Sequence, residues 1–300
     1  MDHDALVTLR DHLRYAVSRF TAAKLSFGHG VTSAVDEAVF LILEALHLPV
    51  DDFNPWADAR LLPAERARLC DLIEARVATR KPAAYLLNRA YIKGIPFFVD
   101  ERVIVPRSYL GELLMEGAVC GVESGLIAEP EKVRRVLDLC TGSGCLAIIA
   151  AGVFSEAAVD AVDLSSAALE VARINVDTAG LSERVSLVHG DLFANLSTAK
   201  YDLIITNPPY VSAAEMALLP PEYRHEPAMA LAGGGEDGLD IVRRILAEAP
   251  AHLTRGGGLL CEFGAGREVL EAEYPKIEFL WLDTAESEGE VFWVTREGLR

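Results

Sequence analysis

Apolar side chains recur at helical spacing through the first ninety residues, and then the period changes. Leu6, Leu9, Leu13 and Val17 stand three or four positions apart, as do Ala38, Leu41, Ile42, Ala45 and Leu46, and later Leu69, Leu72 and Ile73. Such spacing gathers each set onto one helix face. Pro49, Pro55, Pro63 and Pro82 punctuate the segment, and Pro63 with Glu65 fits a helix start. The pattern predicts a small α-helical domain over residues 1–90. Between Tyr91 and Val105 two short β-rich runs, Ile95 to Val99 and Val103 to Val105, flank Asp100-Glu101-Arg102. They predict a β-hairpin over residues 91–106 that links two domains.

After Pro106 a helix is expected from Leu110 to Val122, followed by apolar β-branched runs that alternate with helical segments. The runs are Val133 to Leu139, Val159 to Val162, Val185 to Val188, Tyr201 to Thr206, Gly258 to Phe263, Ile277 to Leu282 and Val291 to Val294. Strands alternating with helices indicate an α/β, Rossmann-like domain over residues 107–300, its mainly parallel sheet covered on both faces. Only Asp283 to Glu290 separates the last two runs. That is too short for a crossover helix, so a C-terminal antiparallel hairpin should close the sheet. Ser212 to Gly238 reads as one long loop, and long loops in compact domains are usually functional.

Composition narrows the class. The 300 residues are 51% hydrophobic, enough for a substantial core. The longest apolar stretch, Cys145 to Phe154, is about half of the roughly 20 residues a membrane helix needs. Met1-Asp2-His3-Asp4 is acidic where an export signal is basic. Cys70, Cys120, Cys140, Cys145 and Cys261 form no Cys-x-x-Cys pair and read as reduced thiols. A cytoplasmic protein with no membrane segment and no structural metal is expected. Net charge is −17 and unevenly spread: residues 1–90 carry 11 basic and 12 acidic side chains, residues 91–300 carry 17 and 33. No Lys/Arg cluster offers to neutralise DNA phosphates.

Candidate chemistry concentrates behind the strand runs. Asn207-Pro208-Pro209-Tyr210 follows Leu203-Ile204-Ile205. Asn207 and Pro208 each precede a proline and are driven to extended backbone, and the two prolines remove two N–H donors. The stiff stretch left is rich in acceptors, with an aromatic ring beside it, and suits a planar amino group. A proline-rich turn ending a strand is the plainer reading. Asp138-Leu139-Cys140-Thr141-Gly142-Ser143-Gly144 forms a glycine turn between a strand and a helix, with Asp163 and Asp191 at the ends of the next two strands. Gly142-x-Gly144-x-x-Ala147 also satisfies a dinucleotide fingerprint. S-adenosylmethionine, which carries an ammonium and a sulfonium and no phosphate, suits the carboxylates better. Asp163 can accept from ribose hydroxyls, and Asp191 from the adenine amino group, with Leu192 or Phe193 along the ring.

With these features placed, the sequence resembles the glutamine side-chain amide methyltransferases of the HemK-like family, and within it the PrmB-like branch that modifies a large-subunit ribosomal protein. The branch is marked by Tyr15-Ala16-Val17-Ser18-Arg19-Phe20, Gly28-His29-Gly30, the run from Val99 to Ser108, and Glu222-Tyr223-Arg224-His225-Glu226-Pro227. The resemblance implies a class I S-adenosylmethionine-dependent methyltransferase, and because the sheet domain is then occupied by cofactor and catalysis, the helical domain is expected to read the protein substrate. The implied cofactor positions are Asp138, Cys140, Thr141, Gly142, Ser143, Gly144, Asp163, Asp191, Leu192 and Asn207. Glutamine binding falls on Asn207, Pro208, Pro209 and Tyr210, and catalysis on Asn207, Pro208 and Tyr210. Arg107 and Glu112 also match the family, as organisers of the cofactor pocket or as an ion pair with each other. His225 and Glu226 are expected to touch substrate, and Gly233, Gly234 and Gly235 to let the loop close. Where the family often has a Gly-rich turn, Glu286-Ser287-Glu288-Gly289-Glu290 stands. An acidic enzyme would speed encounter with a basic ribosomal protein. Alternatives are a release-factor glutamine methyltransferase, a DNA adenine or cytosine amino-methyltransferase, a nicotinamide-dependent dehydrogenase, and a non-catalytic binder of S-adenosylmethionine.

Overall fold

The computed structural model describes residues 5–121, 126–196, 200–284 and 287–300. Met1-Asp2-His3-Asp4, Val122 and Glu286 lie outside the described residues. The chain begins with helices α1 (Leu9–Ala22), α2 (Ala34–Ala45), α3 (Pro63–Thr79) and α4 (Ala83–Leu87). Local chemistry starts them. Thr8 caps α1, its hydroxyl accepting from the Asp11 N–H while the Asp11 carboxylate accepts from the Thr8 N–H. Ser33 caps α2, and Pro63 opens α3, where Glu65 accepts from the Leu62 N–H. Their apolar faces share one core around Phe20, Leu41, Leu69 and Ile73. Within it the fully buried Arg76 makes two hydrogen bonds of 3.0 Å to Glu37.

Two short strands follow, β1 (Ala90–Ile92) and β2 (Ile95–Phe97), paired antiparallel. The hairpin therefore turns at Lys93-Gly94, both with positive φ of 46° and 78°, as the tight mirror-image turn requires. Val103 to Val105 is not a strand. The expected turn at Asp100-Glu101-Arg102 exists, with the Val103 N–H donating to the Asp100 carbonyl. Val99, Val103 and Val105 instead bury themselves against Ala168 and Val171 of a later helix. Burial, and not pairing, is what their apolar run encodes.

The remaining elements are α5 (Leu110–Met115), β3 (Arg135–Leu139), α6 (Cys145–Val153), β4 (Ala158–Asp163), α7 (Ser166–Thr178), β5 (Val185–His189), β6 (Tyr201–Thr206), α8 (Ala213–Leu218), α9 (Asp240–His252), β7 (Leu253–Glu262), α10 (Arg267–Glu273), β8 (Leu280–Leu282) and β9 (Val291–Thr295). Helix α5 is shorter than its apolar pattern suggested, with Gly117 at φ +81° just beyond it. Seven strands form one sheet in the order β5-β4-β3-β6-β7-β9-β8. The first five are mutually parallel, and β9 runs antiparallel between β7 and β8. The expected α/β sheet with a closing antiparallel hairpin is thus present. Alternate residues of one strand enter opposite layers: Leu203 and Ile205 pack with α6, whereas Ile204 packs with Ile245 and Leu246 of α9. With both faces covered, the open ends of the strands are left to build a site.

Candidate active site

A cavity of about 180 Å³ lies beyond the C-terminal ends of β3, β4 and β5, walled in part by Cys140, Gly142, Asp163, Asp191, Leu192 and Asn207. Gly142 sits at φ +55° with open space where a Cβ would stand. Cys140 and Leu192 hold left-handed φ of 58° and 50° although neither is glycine, the kind of backbone strain that gathers at functional sites. The Asp163 carboxylate accepts from the Gly142 and Ser165 N–H groups, 2.8 Å each, which fixes it at the rim while lone pairs remain for a ligand. Burial raises its pKa above the usual carboxylate value. Asp191 is met by Arg244 of α9 at 3.0 Å, a cation the sequence did not suggest.

Asp138 stands behind the turn. It is wholly buried, one oxygen accepting from the Thr141 hydroxyl at 2.5 Å and the Ala147 N–H at 3.0 Å, the other without a partner. Burial pushes its pKa up to about 7. Thr141 and Ser143 are buried beside it, and Gly144, at φ +80°, packs 3.2 Å from the Ala172 methyl as measured from its ideal Cβ. Asp138, Thr141, Ser143 and Gly144 therefore shape the turn from behind, and none is in the cavity wall.

A wider cavity of about 610 Å³ opens beside the first, lined by Asn207, Pro208, Pro209, Tyr210, Glu262 and Phe263 among others. Asn207 and Pro209 belong to the walls of both. The Asn207 Nδ2 donates to Glu262 Oε1 at 2.9 Å, which leaves Oδ1 as the end free for another donor. The Tyr210 ring lies against Gly264, whose ideal Cβ would come within 2.8 Å of the ring. Burial raises the Tyr210 pKa far above the phenol value, so its hydroxyl stays neutral at ordinary pH. Glu262 is a site residue that sequence reasoning missed. Its only signal was a lone acid inside the otherwise apolar run from Gly258 to Phe263.

The segment expected to be one long loop carries α8, capped by Ser212, and two 3₁₀ turns at Pro221–His225 and Ala228–Ala230. Gly233, one of the three glycines expected to let the loop close, and Gly238 sit where no Cβ fits. A Cβ on Gly233 would meet the Gly238 carbonyl oxygen at 1.8 Å, and one on Gly238 would meet the Tyr210 carbonyl oxygen at 2.2 Å. They allow backbone to pack directly behind Tyr210. His225 and Glu226 line neither cavity. His225 contacts the Thr79 carbonyl, and Glu226 makes a two-pronged ion pair with Arg107 at 2.6 and 2.9 Å while accepting from the Val105 N–H. Glu112 pairs with Lys93 instead of Arg107. Glu222, also buried, accepts from the Ser26 N–H and faces Arg80 at 2.7 Å. Gly28 lies under the Tyr223 hydroxyl, 2.4 Å from where its Cβ would stand. The branch-marking segments near residues 28 and 222–227 thus dock on each other.

Residues 125–220 match the Methyltransferase small domain family. Across 98% of this chain and 92% of the other, the sequence is 61% identical to a ribosomal protein uL3 glutamine methyltransferase of Bradyrhizobium diazoefficiens. It is 55% identical to the Bordetella pertussis protein of the same name, over 98% and 97% of the two chains. A methyltransferase structure from Pyrococcus furiosus aligns over 77% of this chain and 98% of its own, with a TM-score of 0.50 and 15% identity, a likeness of fold alone. The chain belongs to the family of ribosomal protein uL3 glutamine methyltransferases.

Proposed function

We propose that the protein transfers a methyl group from S-adenosylmethionine to the side-chain amide nitrogen of a glutamine in ribosomal protein uL3. The observation that carries this reading is the shared wall: Asn207 and Pro209 border both the narrow cavity and the wide one. A ligand in each would meet at the tetrad. The narrow cavity fits the cofactor chemically. Two carboxylates, Asp163 and Asp191, face it, and Asp138 stands behind with one oxygen unpartnered. Arg244 pairs with Asp191 in that wall, so Asp163 is the carboxylate left to accept from the ribose hydroxyls of a nucleoside. When bound, S-adenosylmethionine supplies an electrophilic methyl group on its sulfonium.

A glutamine amide is a poor nucleophile because its nitrogen lone pair is delocalised into the carbonyl. Asn207 Oδ1 and the Pro208 carbonyl accept its two N–H bonds, fix the amide plane, and stabilise positive charge developing on nitrogen. The Tyr210 ring covers one face of the amide. Holding the amide in one orientation beside the cofactor cavity contributes several kcal/mol to lowering the barrier. No strong base is needed, because the methylated amide is acidic while still cationic. The helical domain over residues 1–90 reads the protein partner, a role supported by Gly28, which reaches the wall of the wide cavity.

The test is transfer of isotopically labelled methyl from S-adenosylmethionine to purified uL3, a peptide release factor and DNA, with the modified residue located by mass spectrometry. One labelled glutamine in uL3 is expected. Label confined to release factor or DNA contradicts the proposal, and label in none contradicts catalysis altogether.

A further inference from the structure

We infer that Glu262 is a positioning residue for methyl transfer: its carboxylate holds the Asn207 amide in the one orientation that presents oxygen to the incoming glutamine. The inference rests on the glutamine-transfer reading above and assigns a role in it to a residue outside the tetrad. The sheet itself creates the contact. Strands β6 and β7 are parallel with Thr206 opposite Cys261, so the residues that follow, Asn207 and Glu262, emerge side by side. Glu262 is 2% exposed. Its Oε2 accepts from the Ser108 hydroxyl at 2.6 Å and the Tyr109 N–H at 2.9 Å, and its Oε1 accepts from Asn207 Nδ2 at 2.9 Å.

The orientation follows from donor and acceptor chemistry. A side-chain amide offers donors at one end and an acceptor at the other, and an ionised carboxylate only accepts. Facing Glu262, Asn207 can turn only its NH2 toward the carboxylate, and Oδ1 must then point away. The glutamine to be methylated presents an NH2 of its own, so the opposite orientation of Asn207 would set donor against donor. The Tyr109 N–H is a fixed donor and keeps Oε2 an acceptor, so a proton on Glu262 goes to Oε1 and faces Asn207. Asn207 then turns over. The protonated site is complementary to the wrong end of the substrate amide.

Burial pushes the Glu262 pKa up to about 7, against the Ser108 and Tyr109 hydrogen bonds that lower it, with Glu290 raising it further. The titratable and charged groups around it are Glu290 just before β9, Cys261 on its own strand, Tyr109 ahead of α5, and Tyr210 behind β6, which Arg107 also faces. Turnover at saturating cofactor should therefore fall as pH drops through the neutral range.

The experiment is a double-mutant cycle on the full-length protein with uL3 as acceptor, using Asn207→Ala, Glu262→Gln and both together. In Glu262→Gln the new side chain must give its oxygen to the Tyr109 N–H, so its NH2 faces Asn207 and inverts it. A loss in kcat of about 100-fold is expected, the scale of removing one preorganised polar partner from a reacting centre. Cofactor affinity should stay within about threefold, the acid limb of the kcat profile should vanish, and Glu262→Gln should add nothing to Asn207→Ala. Glu262→Gln at near wild-type kcat beside an inactive Asn207→Ala overturns the role of Glu262 alone. A further loss in the double variant does the same. Full turnover by Asn207→Ala overturns the underlying reading of the tetrad. Should Glu262→Gln fail to fold, Glu262→Ala, which leaves the Asn207 amide unheld, decides: a kcat within threefold of wild type overturns the inference.

Discussion

Replacing Gly264 with alanine tests whether the Tyr210 ring must sit where it does. The new Cβ would stand 2.8 and 2.9 Å from two ring carbons of Tyr210. Carbon atoms in contact settle near 3.5 Å, so the ring must move by about 0.7 Å. Displacements of about 1 Å in a positioned reacting group cost on the order of 100-fold in rate, so kcat should fall by about 30- to 100-fold. Gly264 also holds φ at +71°, and a side chain there costs about 1–2 kcal/mol of stability wherever it is tried. Gly256→Ala is the matched control, with φ +76° and nothing within 4 Å of the added carbon. Both variants should lose stability in urea, Gly264→Ala the more by the cost of displacing the ring, and only Gly264→Ala should lose turnover in the labelled-methyl assay. Gly264 is not in the wall of the narrow cavity, so cofactor affinity should be unchanged. Gly264→Ala turning over within threefold of the Gly256→Ala control would refute the packing role given to Tyr210.

Asp163→Asn removes the charge that accepts at the rim of the narrow cavity, and calorimetry should find cofactor binding weakened by about 10- to 100-fold with kcat at saturation nearly unchanged, as expected for losing a charged hydrogen-bond acceptor. His29 is 6% exposed with its ring 4.3 Å from that of Tyr223, and burial first, with Arg107 and Arg76, lowers its pKa to about 4 despite Glu226 and Glu222. Its ordinary value is near 6.5, so between those limits the unfolded chain binds the extra proton and stability falls as pH falls, by up to about 3 kcal/mol. Asp138 and Glu262, whose pKa values are raised, act in the opposite sense and are common to wild type and His29→Gln. The difference between the two proteins in urea titrations should therefore shrink or reverse from pH 6.5 to 4, and a constant difference would contradict a buried neutral His29. The excess of acid in residues 91–300 predicts that kcat/KM toward a basic ribosomal protein falls with rising salt while kcat holds, and a salt-independent rate would dismiss electrostatic steering.

Features written in neighbouring residues were legible before the fold was known. The alternation of Leu203, Ile204 and Ile205 between two layers marks a strand buried on both faces, and the Asn207 tetrad directly behind it marks the strand's working end. Features written across distance were not. Glu262 reaches Asn207 only through the parallel register of β6 and β7. Arg107 finds Glu226 across 119 positions, where spacing alone suggested Glu112. Lys93-Gly94 is a weak turn signal because lysine rarely adopts positive φ, so the sequence points to a turn at Asp100-Glu101-Arg102 and not to the one before Ile95. Gly233 reads as part of a mobile run in a string, and only the backbone of Gly238 and Tyr210 beside it shows that it packs closely.

Methyl transfer by this route depends on where the target amide goes. A crystal structure of the protein with S-adenosylhomocysteine and a glutamine-bearing uL3 peptide measures this directly. The amide nitrogen is predicted within about 2.7–3.2 Å of both Asn207 Oδ1 and the Pro208 carbonyl oxygen, with the nucleoside over Gly142. An amide nitrogen held elsewhere, or Asn207 turned to offer its NH2, would contradict it.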